Sequence, residues 1–284
     1  MAILLKPAAG ASINTSHAIA TGLVRCVLLN EGVGSATELV GGATAALSNG
    51  AIWHSHMSAG GTLVDFPGAD DTISFGQGGL SHGNGNVSVF FGGTVTVDAT
   101  ENWAGAIAGT GVDTYAWGIG DDNAWRFTLR DVAHITATGT GPVQGRVYTV
   151  GMGYTDSTSV RFHIYDHTTE AQITPETVLS ASVPGQVAAA SVIGNADDGS
   201  GSWARRLSFT YIWNRVLTDA EFVQLHASPW CFLQYRPPQT RASGGASRGR
   251  AGSTASAPRM STPSKADKML GIKPKLIKPP ESAI

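Results

Sequence analysis

Three pairs of neighbouring aspartates, Asp70 with Asp71, Asp121 with Asp122 and Asp197 with Asp198, each sit in a glycine-rich stretch. Carboxylate oxygens held close together are what a calcium ion takes as ligands. Aspartates in such stretches also cap their own backbone, and three pairs in three similar settings favour that turn chemistry. His54 and His56, in IWHSHMS, stand two apart, a spacing that points both to one face of a strand. A zinc site needs a third ligand, and none lies near in sequence, so a polar surface strand is the expectation. No GxxxxGKS or GxxxxGKT loop offers a phosphate cradle. The glutamates ahead of the last fifty residues, Glu31, Glu38, Glu101, Glu170, Glu176 and Glu221, stand alone.

The elements that must carry these residues are strands. In NAWRFTLRD, Trp125, Phe127 and Leu129 alternate with Arg126, Thr128 and Arg130; in SVRFHIYD, Val160, Phe162 and Ile164 alternate with Arg161, His163 and Tyr165. Period-two alternation puts the first set of each inward and the second outward, so His163 reads as a surface residue, as does His134. RRLSFTYIW repeats the pattern with Leu207, Phe209, Tyr211 and Trp213 on one face. Turn stretches such as GIGDDN and GNADDGSGS bound the runs, and many short strands at this spacing predict a sandwich or jelly roll.

One helix interrupts this. Thr218 and Glu221 form a capping box, Leu217 and Phe222 a hydrophobic staple, and Pro229 limits the helix to about two turns. Cys26 and Cys231 match no metal motif and are expected as free, buried thiols, which could still be neighbours. The opening MAILLK has too short an apolar run for an export signal or a membrane span, so residence in a cytoplasm is expected.

Charge divides the chain unevenly. The formal net is -2, yet from Arg236 to Ile284 ten basic residues face two acidic ones, a net of +8, which leaves the body at -10. The low total charge argues against a generic nucleic-acid binder. The tail is rich in Gly, Ser and Pro, a composition that cannot order itself by burial. Its end, KMLGIKPKLIKPP, sets Met269, Leu270, Ile272, Leu276 and Ile277 among Lys268, Lys273, Lys275 and Lys278. That pattern suits an extended arm docked in a partner's groove, with lysines on an acidic surface. Protein docking is favoured over nucleic acid because no aromatics interleave the charges.

IGNADDGSGSWARRLSFTYIWNRVLTDAEFVQLHASPWCFL resembles the closing segment of LamG and concanavalin-A-like domains in tailed-bacteriophage virion proteins. HAIATGLVRCVLLNEGVG and LVDFPGADDTISF resemble the front of the same family. The resemblance spans about Ser16 to Arg236. It implies an all-β, concanavalin-A-like (LamG) jelly-roll sandwich over 16–236, with an N-terminal arm over 1–15 and an extended C-terminal arm over 237–284. Some members bind calcium, which makes Asp70 and Asp71 the candidate metal ligands. Sugar-binding members stack sugars on aromatics, and Trp103, Trp117, Trp125 and Trp203 could line such a face. Trp125 and Trp213 fall on apolar faces and read as core, leaving Trp103 and Trp203, which flank loops, as the stacking candidates. Glucanases of this fold carry Glu-x-Asp-x-x-Glu on one strand, so that two carboxylates lie about 5 Å apart. That arrangement is absent.

The expectation is a non-enzymatic virion protein. Its sandwich would face outward as a capsid decoration or minor capsid protein, assembled in the host cytoplasm. Its arm would dock on the major capsid protein or another virion protein, with a homo-oligomer also compatible. The alternative is a carbohydrate-binding module that adsorbs to host or environmental glycans.

Overall fold

The computed structural model describes residues 6–7, 10–56, 61–68, 71–75, 86–95, 102–109, 112–120, 123–129, 133–137, 141–155, 158–179, 190–194 and 205–235. In chain order the strands are β1 (Ala11–Ile13), β2 (Leu23–Val27), β3 (Ala36–Thr37), β4 (Thr44–Ala45), β5 (Leu47–Ser48), β6 (Ile52–His56), β7 (Gly61–Asp65), β8 (Thr72–Phe75) and β9 (Val87–Val95). There follow β10 (Asn102–Gly109), β11 (Val112–Ile119), β12 (Trp125–Leu129), β13 (Ala133–Thr136), β14 (Val147–Thr155), β15 (Ser159–Asp166), β16 (Ala171–Leu179), β17 (Ala190–Ile193), β18 (Arg205–Trp213) and β19 (Leu233–Tyr235). The helical elements among the described residues are a 3-10 turn, Ala18–Ala20, and α1 (Asp219–Ala227). No helix among them is long and apolar enough to cross a membrane.

Two antiparallel sheets make the all-β sandwich that the alternation predicts. One sheet runs β13-β12-β11-β10-β17-β8-β5; the other runs β16-β15-β14-β9-β18-β7-β6, with β2 also paired to β18. The inward residues of both meet in one core. Trp125 of β12 touches Phe91 of β9 and Tyr148 of β14, with ring centroids 6.3 and 5.4 Å apart, and Phe127 stacks on Tyr154 at 5.8 Å. Trp117, Trp125, Phe127, Met152 and Phe162 are all buried there. Burying each such side chain stabilises the fold by about 2–3 kcal/mol.

A second core lies on the outer face of the eight-stranded sheet. There Cys26, Phe90, Phe209, Tyr211 and Trp213 meet Ile19, Leu217, Phe232, and Phe222 and Leu225 of α1. Strand β9 is consequently buried on both faces along its whole length, which is why VSVFFGGTV carries no charged residue and no inward–outward alternation. This layer corrects two expectations. His163 does point away from the inter-sheet core, but it is wholly buried because α1 lies over it. The apolar residues of β18 do not share one face. A register shift against β9 between Leu207 and Phe209 sends Leu207 to the inner core and Phe209, Tyr211 and Trp213 to the outer one, as an inserted residue reverses the alternation.

The helix forms as its sequence requires. Thr218 accepts from the Glu221 amide while the Glu221 carboxylate accepts from the Thr218 amide at 2.8 Å, and the helix stops at Ala227 ahead of Pro229. Phe222 sits close against β14 because residue 151 is glycine: a Cβ there would meet the Phe222 ring at 2.4 Å.

Part of the stretch set apart as an N-terminal arm is built into this body. β1 pairs with β19, Ala11 opposite Tyr235 and Ile13 opposite Leu233. The Lys6 ammonium donates to the carbonyls of Leu28 at 2.9 Å, Leu29 at 3.0 Å and Thr62. The C-terminal stretch 237–284, including Lys268 to Lys278, lies outside the described residues.

Candidate functional site

An open groove of about 650 Å³ runs beside the ribbon of β1 and β19. Its polar rim is Ser12, Asn14, Thr15, Ser16 and Gln234, and Ile13, Leu23, Leu39 and Val40 give it apolar surface. None of the residues lining it is ionisable. One wall is set by backbone pairing: the Asn14 amide donates to the Phe232 carbonyl at 2.9 Å, and the Ser16 amide donates to Asn14 Oδ1 at 3.2 Å. The other is held from beneath by a buried carboxylate. Glu38 accepts from the amides of Cys26 at 3.1 Å, Val40 at 2.6 Å and Gly41 at 2.6 Å, and its Oε2 lies 3.5 Å from Arg25 Nη1. A buried carboxylate is tolerated only when paired and hydrogen-bonded in this way. Hydroxyls and amides around an apolar floor can take a neutral, hydroxyl-rich ligand; a charged one would find no counter-ion among the lining residues.

A second polar cluster is closed to solvent. Thr149 Oγ1 on β14 lies 2.8 Å from His167 Nε2 and 2.7 Å from His226 Nδ1, and all three residues are buried. His163 stacks on Phe222, with ring centroids 4.6 Å apart, and its Nε2 is 3.1 Å from Asp219 Oδ1. Burial pushes the pKa of His167 down to about 4, against the pull of Asp166. It pushes that of His226 down to about 3, and the neighbouring His163 and His167 lower it further. His163 is lowered by burial in spite of Asp219.

The residues singled out in the sequence are not gathered at either place. Asp71 is buried, its two carboxylate oxygens accepting from the amides of Gly68, within its own turn, at 2.5 Å and of Gly50, from a distant turn, at 2.6 Å. Asp70, Asp121, Asp122, Asp197, Asp198 and Trp203 lie outside the described residues, as do the side chains of Trp103, His56 and His134. Among the described residues, no cluster of three His, Cys, Asp or Glu could hold a metal ion. Trp117, weighed for a sugar-stacking face, is instead buried in the inter-sheet core. The described glutamates have structural partners: Glu31 accepts from the Thr37 amide at 2.8 Å, and Glu221 pairs with Arg215 at 2.6 Å. Cys26 and Cys231 are free, Cys26 buried and Cys231 half-buried, and both act on the Tyr211 phenol.

Sequence reasoning missed the groove and the histidine cluster. The groove is built from ordinary serine, threonine, asparagine and glutamine with no motif spacing, brought together by a pairing between the two ends of the body. His167 and His226 are 59 positions apart in sequence, and only the folding of α1 onto β14 and β15 makes them neighbours.

No family model matches the chain, and no curated protein matches it. Solved structures do. A Trypanosoma rangeli sialidase in complex with sialic acid is 12% identical with a TM-score of 0.53, over 75% of this chain and 34% of that one. The receptor-binding domain of a botulinum neurotoxin C/D mosaic serotype is 11% identical with a TM-score of 0.52, over 73% and 51%. The binding domain of botulinum neurotoxin serotype G is 11% identical with a TM-score of 0.50, over 72% and 50%. This chain therefore spans about a third of the sialidase's length and about half of the toxin domains'. At these identities the likeness is one of fold, a β-rich sandwich with jelly-roll character.

Proposed function

We propose that the protein is a non-enzymatic recognition module whose sandwich binds a neutral saccharide in the groove beside β1 and β19. The observation that carries this is the lining itself: five neutral hydrogen-bonding side chains around aliphatic surface, with no ionisable group. Its volume falls within the range of small-molecule sites. Two facts support the reading. Neighbours in fold include a sialidase with bound sialic acid and a toxin's receptor-binding domain. The described glutamates Glu31, Glu38 and Glu221 are occupied in holding backbone or arginine rather than facing one another across a cleft. Because the lining supplies no cation, the ligand differs from sialic acid in being uncharged.

The test is a glycan array with the full chain, followed by calorimetry on the hits. Uncharged glycans should bind, and Asn14→Ala and Gln234→Ala should each weaken binding about tenfold, the effect of losing a hydrogen bond worth about 1.4 kcal/mol. Binding abolished by Trp103→Ala or Trp203→Ala but untouched by the groove variants would move the site to those tryptophans. Binding to sialylated glycans alone would overturn the neutral-ligand assignment.

A second reading rests on the charge division and the resemblance to phage virion proteins. In it the basic stretch 237–284 tethers the module to the major capsid protein or another virion component, with the sandwich displayed outward. Deleting 237–284 would then abolish incorporation into particles while glycan binding persists; incorporation without the tail would remove this reading.

A further inference from the structure

On the outer face of the eight-stranded sheet, His163 and His167 meet a third histidine, His226, carried by the short helix α1 that packs there. We infer that α1, together with the segment running on through Tyr235, is an acid-released latch, undone when His226 and His167 take up protons. The latch stands whether or not the groove takes a saccharide.

The groups facing these rings come from several elements. β14 supplies Thr149; β15 and the turn after it supply Arg161, His163, Tyr165, Asp166 and His167. From α1 come Asp219, Glu221 and His226, and Phe90 of β9 packs edge-on against the His226 ring at 5.2 Å. Tyr165 lies between the rings of His167 and His226, at 4.7 and 6.0 Å. Tyr211 of β18 and Cys26 of β2 share the same layer.

The acids in this set have other work. Asp166 pairs with Arg146 at 2.7 Å and accepts from the amides of Thr168 and Thr169. Glu221 pairs with Arg215. Asp219 bridges Arg161 at 2.9 Å and His163. Protonated His163 thus has a carboxylate in place, whereas His226 is favoured only by a hydrogen bond with the His163 backbone and His167 has Asp166 only at range.

The chemistry at Thr149 makes the arrangement one-way. A single hydroxyl proton lets Thr149 donate to one ring nitrogen and accept an N–H from the other, so two neutral imidazoles are served by one oxygen. Once both rings are protonated, both must donate to that oxygen, and two like charges share a dry space. Opening the helix hydrates them. Sequence then carries the release onward: Ser228 to Phe232 lead directly into β19, whose Gln234 borders the groove.

Burial lowers both histidines, so the closed form binds fewer protons than the open one. Closure is complete above the ordinary histidine value of about 6.5. It weakens as pH falls toward the closed-state values, by up to about tenfold per pH unit for each ring.

Hydrogen exchange on the full chain at pH 7 and pH 5, corrected for the intrinsic pH dependence, tests this. Amides of Asp219–Ala227 and Leu233–Tyr235 should exchange at least about tenfold faster at pH 5, while β14 keeps its protection. His226→Gln should match wild type at pH 7 and lose most of the acceleration at pH 5, and His167→Gln should do the same. Loss of protection in α1 and β14 together, no change in α1, or unaltered acceleration in a variant that folds would each overturn the latch. Proton NMR of the wild-type histidines guards against a variant that fails to fold. A His226 resonance titrating at its ordinary value with α1 closed would overturn the inference, and one that titrates only as α1 opens would uphold it.

Discussion

Thr218 shows how much a single hydroxyl can hold in place. It caps α1, and the Glu221 carboxylate that completes the box is also gripped by Arg215, which reaches the carbonyl of Thr21 at 2.7 Å. Thr218→Ala should lower unfolding free energy by about 1 kcal/mol, seen as a reduced urea midpoint with unchanged m-value. Glu221 is held down to about pKa 2, chiefly by its hydrogen bond with Arg215. A carboxylate depressed in the fold contributes stability above its ordinary value of about 4.5 and loses it as pH falls toward 2. His167 and His226 act earlier, from about pH 6.5 downward, and in the same direction, since the folded state resists their protonation. Urea titrations between pH 7 and pH 4.5 should therefore show stability falling with acid. In His226→Gln the slope should be shallower by up to about 1.4 kcal/mol per pH unit. An identical slope in the two proteins would mean that His226 is hydrated in the native state.

At the scale of elements, the strands and the capped helix were legible because their signals are local. Alternation marks Trp125 and Phe127 as inward, and the threonine, glutamate and proline spacing marks both ends of α1. What local pattern does not carry is whether a strand's second face is covered. Arg161, His163 and Tyr165 look alike as outward residues, yet Arg161 is exposed while His163 is buried, because Phe222 of α1 stacks over His163 whereas α1 meets Arg161 only through the Asp219 carboxylate. The register shift in β18 was equally hidden, since Ser208 carries no mark of an inserted residue. The same limit applied to the site. No spacing links Asn14 to Gln234, and their joining depends on pairing across more than two hundred residues. Gly151 records how closely helix and sheet approach. Gly151→Ala should push Phe222 outward and cost about 1–3 kcal/mol, measured by thermal or urea denaturation. Adding Phe222→Leu should return part of that loss, and a neutral Gly151→Ala would show that the helix has slack to move.

At the scale of the whole molecule, the described body has two cores and a ribbon of β1 and β19 that joins its two ends, while the Gly, Ser and Pro composition beyond Tyr235 offers little apolar surface to bury. A chain ending at Arg236 should keep its thermal midpoint within about 2 °C, well under the shift of a 1 kcal/mol change in a smaller domain, and should keep any groove affinity. Calorimetry with and without the tail reads both, and a large drop would assign the tail a folding role. The ribbon of β1 and β19 has a mechanical consequence. Ala11 and Tyr235 stand opposite each other at the end of an antiparallel pair, so a pull on both termini would part that ribbon like a zipper, rung after rung. A pull on the C-terminal end alone would reach the same rungs first, and this thin seam, rather than either broad sheet, would act as the fuse under load.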